Sequence, residues 1–258
     1  MRVFLIFTIL FSVPCVAVGN DAVAVIAHRG GAALGVENTL SCIEAGIAAG
    51  ADAVEVDVRL TKDGQVVVFH DARVDALTSG TGKVSEMTLC EIQALRFVAD
   101  GDAFIPTLEQ VLALVGGRCG VLIDVKGACS AAGGIEERLL AIVEACGAGE
   151  WVAVQSFSDR VLLRLRELGA TFPLEKLIAF KVPFLPLIVD KGLRFFSLKK
   201  YDFISSFNFG RRFFPSSLAR KIRNAGKSVK VWGLAGKELS LPFEVDAVIT
   251  DFPYLWEK

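Results

Sequence analysis

From residue 23 onward, short apolar runs alternate with segments whose apolar residues recur at helical spacing. The strand-like runs are Val23–Ala27, Ala53–Val58, Val121–Val125, Val152–Gln155, Leu177–Phe180, Phe203–Ser206, Val229–Trp232 and Ala247–Thr250. Helical patterns fill most of the gaps. Asn38 or Thr39 caps a helix from Leu40 that Gly50 ends, and Thr88 with Glu91 forms a capping box for a helix through Leu95. Pro106-Thr107 opens another, with Leu108, Val111, Leu112 and Val115 on one face. Ile135–Cys146, Val161–Gly169 behind Ser158, and Leu218–Ala225 behind Ser216 or Ser217 complete the set. Pro183 and Pro186 predict a short or broken helix over 183–192. Strands alternating with helices predict a parallel sheet with the helices outside. Eight such units in a chain of 258 residues predict an α/β fold closed as a (β/α)8 TIM barrel over residues 20–258. No G-x-G-x-x-G follows the first strand, which argues against a dinucleotide-binding open sheet.

Val66-Val67-Val68-Phe69 is strand-like but follows the second strand too closely for a parallel crossover. Asp63-Gly64 is a strong two-residue turn, so 53–70 reads as a β-hairpin at the barrel rim after strand 2. With that turn at the centre, Asp57 stands opposite His70. Opposed residues share a face, with Cβ atoms ~5 Å apart, and Glu55 shares the face of Asp57 because strand side chains alternate. His28 ends the first strand, and Asp124 and Lys126 end the third. In a parallel barrel these ends gather on the face where active sites are built.

Composition narrows the class of protein. Hydrophobic residues make up 53% and charged residues 22%, which excludes a disordered chain. The 28 basic and 29 acidic side chains leave a net charge of −1 and form no basic stripe, so nothing points to nucleic acid. Arg2, the apolar run Val3–Val13 and the small residues Ala17 and Gly19 read as a secretory signal over 1–19. The protein is then periplasmic or secreted, or membrane-anchored if the segment is retained. The six cysteines show no C-x-x-C spacing and read as small buried hydrophobes, with a Cys119–Cys129 disulfide as the alternative. The aromatic-rich stretch 180–214, with Lys191, Arg194, Lys199, Lys200, Arg211 and Arg212 interleaved, is either core with a solvated face or a contact for a membrane surface or acyl chain.

The motifs HRG at 28–30, ENT at 37–39, GADAVEVDVRLTKDG at 50–64, VVFHD at 67–71 and ITDFP at 249–253 resemble those of the glycerophosphodiester phosphodiesterase family. GTGKVSEMTLCEI at 80–92, IPTLEQVL at 105–112 and QSF at 155–157 extend the resemblance. It implies a TIM barrel and a metal-dependent hydrolase of lipid metabolism, acting on small glycerophosphodiesters. By position it implies His28 and His70 as general acid and base, and Arg29 and Lys126 as contacts for the substrate phosphate. Glu55, Asp57 and Asp124 are implied as ligands of a divalent cation. An all-oxygen carboxylate set selects Ca²⁺ or Mg²⁺, and histidine titrates where both acid and base work are feasible near neutrality. Arg29 has a second reading as an ion-pair partner of Glu37, and Asp124 and Lys126 as partners of each other. Four departures from the family pattern bear on substrate preference: Asp124 replaces a glutamate, Val36 a proline, Ala76 an arginine, and Gly233-Leu234-Ala235 a polar run after Trp232. Two rival functions follow from the same residues: a lysophospholipase D acting on acylated substrates, and a barrel that binds phosphodiesters or membranes without turnover.

Overall fold

The structure, a computed structural model, describes residues 23–127, 134–178, 180–182, 187–189, 198–211, 214, 216–234 and 244–256. The export signal expected over 1–19, Cys129, Ala235 and parts of the 180–214 stretch lie outside these residues. Eight parallel strands close a barrel: β1 (Ala24–Ala27), β2 (Ala53–Leu60), β4 (Gly120–Val125), β5 (Val152–Ser156), β6 (Leu174–Ile178), β9 (Ser206–Gly210), β10 (Ser228–Leu234) and β11 (Ala247–Thr250). Each pairs with the next in that order, and β1 pairs with both β2 and β11, which closes the ring. Around it lie α1 (Leu40–Ala48), α2 (Leu89–Gln93), α3 (Leu108–Val115), α4 (Ile135–Ala145), α5 (Asp159–Glu167) and α6 (Ser216–Asn224). No described helix is long and apolar enough to cross a membrane.

Strand alternation sets two environments. Outward residues such as Val54, Val56, Val58, Val121, Ile123, Val152 and Val154 form one core with the helix faces of Leu108, Val111, Leu139, Leu162 and Ile222. Inward residues Ala24, Ile26, Ala53, Leu122, Ala153, Ala247 and Ile249 form a second, small core inside the barrel. Many other inward positions are polar and buried: Glu55, Asp57, Asp124, Gln155, Glu175, Asn208 and Lys230. Barrel interiors are ordinarily filled by branched apolar side chains, so this polar layer marks where the fold serves something other than packing.

Caps form as the sequence predicts at Thr39, Thr88 and Ser158, with the capping box at Thr88/Glu91, and Thr107/Gln110 adds a second box. The cap expected at Ser216 or Ser217 is not there, because α6 already begins at Ser216. Four further expectations need correction. First, β6 and β9 each lie three residues from the predicted runs at 177 and 203, because inward Glu175, Ser206 and Asn208 break the apolar signal. Second, where a broken helix was expected over 183–192, Leu187–Val189 is a strand, β8, antiparallel to β7 (Phe180–Val182). Both triplets carry aromatic or β-branched residues that favour strands.

Third, β3 (Val66–Val68) pairs antiparallel with β2, but the register differs by one residue from the expected one. Val58 faces Val68, and the Phe69 amide donates to the Asp57 carbonyl at 2.8 Å. Phe69 therefore stands opposite Asp57, and His70 is the first residue beyond. The cause is a three-residue loop. Thr61 N–H donates to the Gln65 carbonyl at 2.9 Å, Gly64 takes φ 76°, and Asp63 is engaged by the Thr61 hydroxyl at 2.6 Å. After β3, the excursion to residue 105 packs its own core from Val67, Phe69, Val74, Val84, Ile92, Phe97 and Ile105. Fourth, only Cys42 of the described cysteines is buried; Cys90 and Cys146 are exposed and Cys119 is a half-buried free thiol. Cys146 caps the end of α4, and Cys90 is two residues from Ile92, the one buried position of α2, and so faces away from it.

Helix α1 docks on the turn that follows β1. A Cβ at Gly46 would sit 2.2 Å from the Gly30 carbonyl oxygen, backbone that cannot rotate away. Gly46→Ala is expected to lower the unfolding free energy by roughly 1–3 kcal/mol through overpacking. Gly101→Ala, where a Cβ meets nothing within 4 Å, serves as the control. Urea denaturation of both checks this; equal midpoints would show that α1 does not press on the His28 turn.

Candidate active site

The chain turns sharply after β1. His28–Gly30 form a single turn, and Arg29 adopts φ 52° and ψ 33°. A non-glycine residue in that region costs about 1–2 kcal/mol. The compensation is specific: the turn aims the Arg29 amide at Glu55 Oε2, 2.8 Å away. Asn38 is the other described non-glycine residue with positive φ, at 60°. Its side chain brackets Asp57, with Nδ2 donating to Oδ2 at 2.9 Å and Oδ1 accepting from the Asp57 amide at 3.1 Å. Both strained residues thus hold carboxylates of β2.

Asp57 and Asp124 are register partners on adjacent strands, and Glu55 lies one inward step below Asp57. One oxygen of each falls within 4.8 Å of the others, and all three residues are at most 3% exposed. Burial and the Asp57 charge push Glu55 up to about 8. Burial also raises Asp124 to about 6, although Lys126 pulls against it. Asp57 stays below the usual carboxylate range despite burial, because Lys126, His70, Asn38 and Arg29 all favour its charged form. Lys126 Nζ reaches Asp124 Oδ2 at 2.6 Å and Asp57 Oδ1 at 3.0 Å. Asp124 Oδ1 is buried with no hydrogen-bond partner. Three convergent carboxylates, with an unsatisfied oxygen on Asp124, fit a hard divalent cation. The shorter Asp124 carboxylate joins this cluster on equal terms with the other two.

Each histidine is tied to an aspartate through Nδ1. His28 Nδ1 lies 2.6 Å from Asp251 Oδ1, and His70 Nδ1 lies 2.8 Å from Asp71 Oδ1. With Nδ1–H donated to a carboxylate, Nε2 of each ring is left for other work. His28 Nε2 is 4.0 Å from Glu55 Oε2. Burial lowers the affinity of His28 for its proton, but the Asp251 hydrogen bond and the Glu55 and Asp251 charges outweigh it, so the pKa rises above 6.5.

Most of these groups, though not Asp57 or Asp71, line one cavity of about 500 Å³, a volume typical of small-molecule sites. His28, Arg29, Glu55, His70, Asp124 and Lys126 form its polar wall. Phe157, Leu177, Trp232, Leu234 and Phe252 add apolar lining, with Phe157 and Trp232 packed edge to face at 6.1 Å. Arg29 donates to both Glu37 oxygens at 2.8 Å and lies 3.4 Å from Asp57 Oδ2. All seven candidate residues from the sequence therefore meet in one place, His70 by a route other than the one predicted.

The sequence assigned Asp251 and Gln155 no role and Asn38 only a helix cap, although all three lie in the quoted motifs. Barrel closure places Asp251: Ala27 pairs with Thr250, so the next residues, His28 and Asp251, are neighbours. Glu175, Asn208 and Lys230 went unnoticed because nothing in a lone polar residue marks it as inward. Lys230 Nζ donates to Glu175 at 2.6 Å, and Asn208 Nδ2 donates to Glu175 at 2.8 Å and to Gln155 at 2.7 Å. Gln155 Nε2 then faces Glu55 Oε1 at 3.4 Å.

The profile of the glycerophosphoryl diester phosphodiesterase family matches residues 28–255. The YhdW protein of Bacillus subtilis, named as a glycerophosphodiester phosphodiesterase, is 34% identical over 237 residues, covering 89% of this chain and 94% of that one. The glycerophosphodiester phosphodiesterase of Caldanaerobacter subterraneus is 37% identical over 151 residues, which are 56% of this chain and 62% of that protein. The crystal structure of an Oleispira antarctica phosphodiesterase in complex with the product sn-glycerol-3-phosphate superposes with a TM-score of 0.73 at 25% identity, over 90% of this chain and 94% of that one. The chain belongs to the glycerophosphodiester phosphodiesterase family, whose members are phosphoric diester hydrolases.

The His28–Asp251 contact gives a titration test. A pKa raised in the folded state means that the pair contributes stability below 6.5, lost as pH rises through the folded value. In metal-free protein, proton NMR of the two histidines should show His28 titrating above 6.5, and Asp251→Asn should move it down. An unmoved His28 in that variant would contradict the assignment.

Proposed function

We propose that this protein hydrolyses glycerophosphodiesters to glycerol 3-phosphate and an alcohol, with His28 and His70 as acid–base pair. The observation that carries this reading is the meeting of two histidine–aspartate pairs, three carboxylates and two cationic side chains around one cavity. The product bound to the Oleispira antarctica relative supports the same substrate class.

A phosphodiester is anionic and its alcohol is a poor leaving group. Cleavage needs a proton for the departing oxygen and a base for the attacking one. His28 and His70 both line the cavity and both carry a carboxylate on Nδ1, so each can hold or release a proton at Nε2. Arg29 and Lys126 present positive charge to the phosphate oxygens. A divalent cation held by Glu55, Asp57 and Asp124 would add the charge neutralisation that the transferring phosphoryl group requires. Neither the family match nor the relatives favour acylated substrates or a barrel without turnover. Export rests on the sequence of residues 1–19, and the metal proposed is Ca²⁺ or Mg²⁺.

Purified protein assayed on glycerophosphocholine should lose activity to a chelator and regain it on addition of Mg²⁺ or Ca²⁺. His28→Ala and His70→Ala should each lower kcat by roughly 10²- to 10⁴-fold. Undiminished turnover in either variant would refute its acid–base role, and chelator-resistant turnover would refute the metal.

A further inference from the structure

His70 has an unusual support. Strand β3 ends at Val68, and the amide of Phe69 makes the last hairpin bond described, to the Asp57 carbonyl. His70 therefore belongs to neither the ladder nor a helix. Its ring is held through Nδ1 by Asp71, the next residue in the chain, whose own side chain is 45% exposed. A pair of neighbours holding each other fixes nothing relative to the barrel. The anchor to the barrel is Arg59. Its Nε and Nη2 both donate to the His70 carbonyl oxygen, at 2.8 and 2.5 Å.

Arg59 is one inward step beyond Asp57 on β2, the strand that also supplies Glu55. Its guanidinium is half-buried, faces the charges of Asp57, Asp71 and Asp124, and does not line the cavity. Because the peptide unit is planar, holding the carbonyl oxygen of His70 restrains where the plane between residues 70 and 71 can lie. The Cα atoms of both His70 and Asp71 lie in that plane. Two N–H groups of one rigid guanidinium converging on the carbonyl oxygen restrict its position more closely than a single flexible ammonium does.

We infer that Arg59 is a positioning residue that locks the His70–Asp71 pair to β2, in register with the carboxylates of the same strand. The inference rests on the proposed role of His70 only in its kinetic part. The geometric part stands alone, because the chain has only two histidines and their imidazole signals can be followed separately.

The test uses Arg59→Met and Arg59→Lys in the full chain. In Arg59→Met, the His70 signals in a ¹⁵N-imidazole spectrum should shift or broaden while those of His28 stay in place. On glycerophosphocholine, kcat should fall by roughly 10- to 100-fold with KM changed by less than about twofold. Arg59→Lys keeps the charge and the stem but loses the fork, and should fall between Arg59→Met and wild type on both readouts. It also serves should Arg59→Met fail to fold. An unmoved His70 in either variant overturns the inference, as does full kcat in Arg59→Lys when His70→Ala has lost turnover. Mg²⁺ binding measured by calorimetry should be little changed. If Arg59→Met strengthens Mg²⁺ binding and leaves His70 in place, Arg59 balances the carboxylate charge and the inference fails. If instead His70→Ala retains turnover while Arg59→Met still moves the His70 signals, the acid–base reading fails and the positioning stands.

Discussion

Glu55, Asp57 and Asp124 hold carboxylate oxygens within 4.8 Å of one another at a place nearly closed to water. At an effective dielectric of about 20, each pair of such charges repels by roughly 3–4 kcal/mol. A fold tolerates this only by taking up protons, by surrounding the cluster with donors, or by binding a cation. The first two responses are visible. Glu55 and Asp124 are pushed up to about 8 and about 6, so both hold their protons to higher pH than an exposed carboxyl would. Lys126, the Asn38 amide and the Arg29 backbone are brought in as donors, two of them at the cost of left-handed backbone. The third response is the one that the proposed chemistry uses.

Much of the neighbouring structure follows from that cluster. Helix α1 packs against the His28 turn closely enough to demand glycine at 46, and that turn aims Arg29 N–H at Glu55. Closure of the barrel brings Asp251 to His28 across 223 positions of sequence. The β2–β3 hairpin brings His70 back to the strand that carries Glu55 and Asp57, with Arg59 holding its carbonyl. The two histidines therefore arrive by unrelated routes, one through sheet closure and one through a local hairpin, yet both bind a carboxylate through Nδ1.

The polar–apolar alternation of β2 was readable because its outward valines and inward acids are both emphatic. The same rule failed at β6 and β9, where Glu175, Ser206 and Asn208 are buried inward and look like strand ends in the sequence. The hairpin was readable from Asp63-Gly64, but not its register. A three-residue loop with Gly64 at φ 76° shifts every pair by one. His70 was placed near the acids by a pairing that does not exist and reaches them from beyond the strand end. Asp251 was legible in principle, since a closed barrel must set the end of its last strand beside the end of its first. The Lys230–Glu175–Asn208–Gln155 chain was not, because partners in a buried polar network come from separate strands and no spacing within one segment reveals them.

The central claim is that the carboxylate cluster exists to hold one divalent cation. Calorimetric titration of Mg²⁺ or Ca²⁺ into the purified protein, without substrate, tests it most directly. The account predicts saturable binding of a single cation per chain that is lost in the Asp57→Asn, Asp124→Asn double variant. No binding to the wild-type protein, or undiminished binding to the variant, would contradict it.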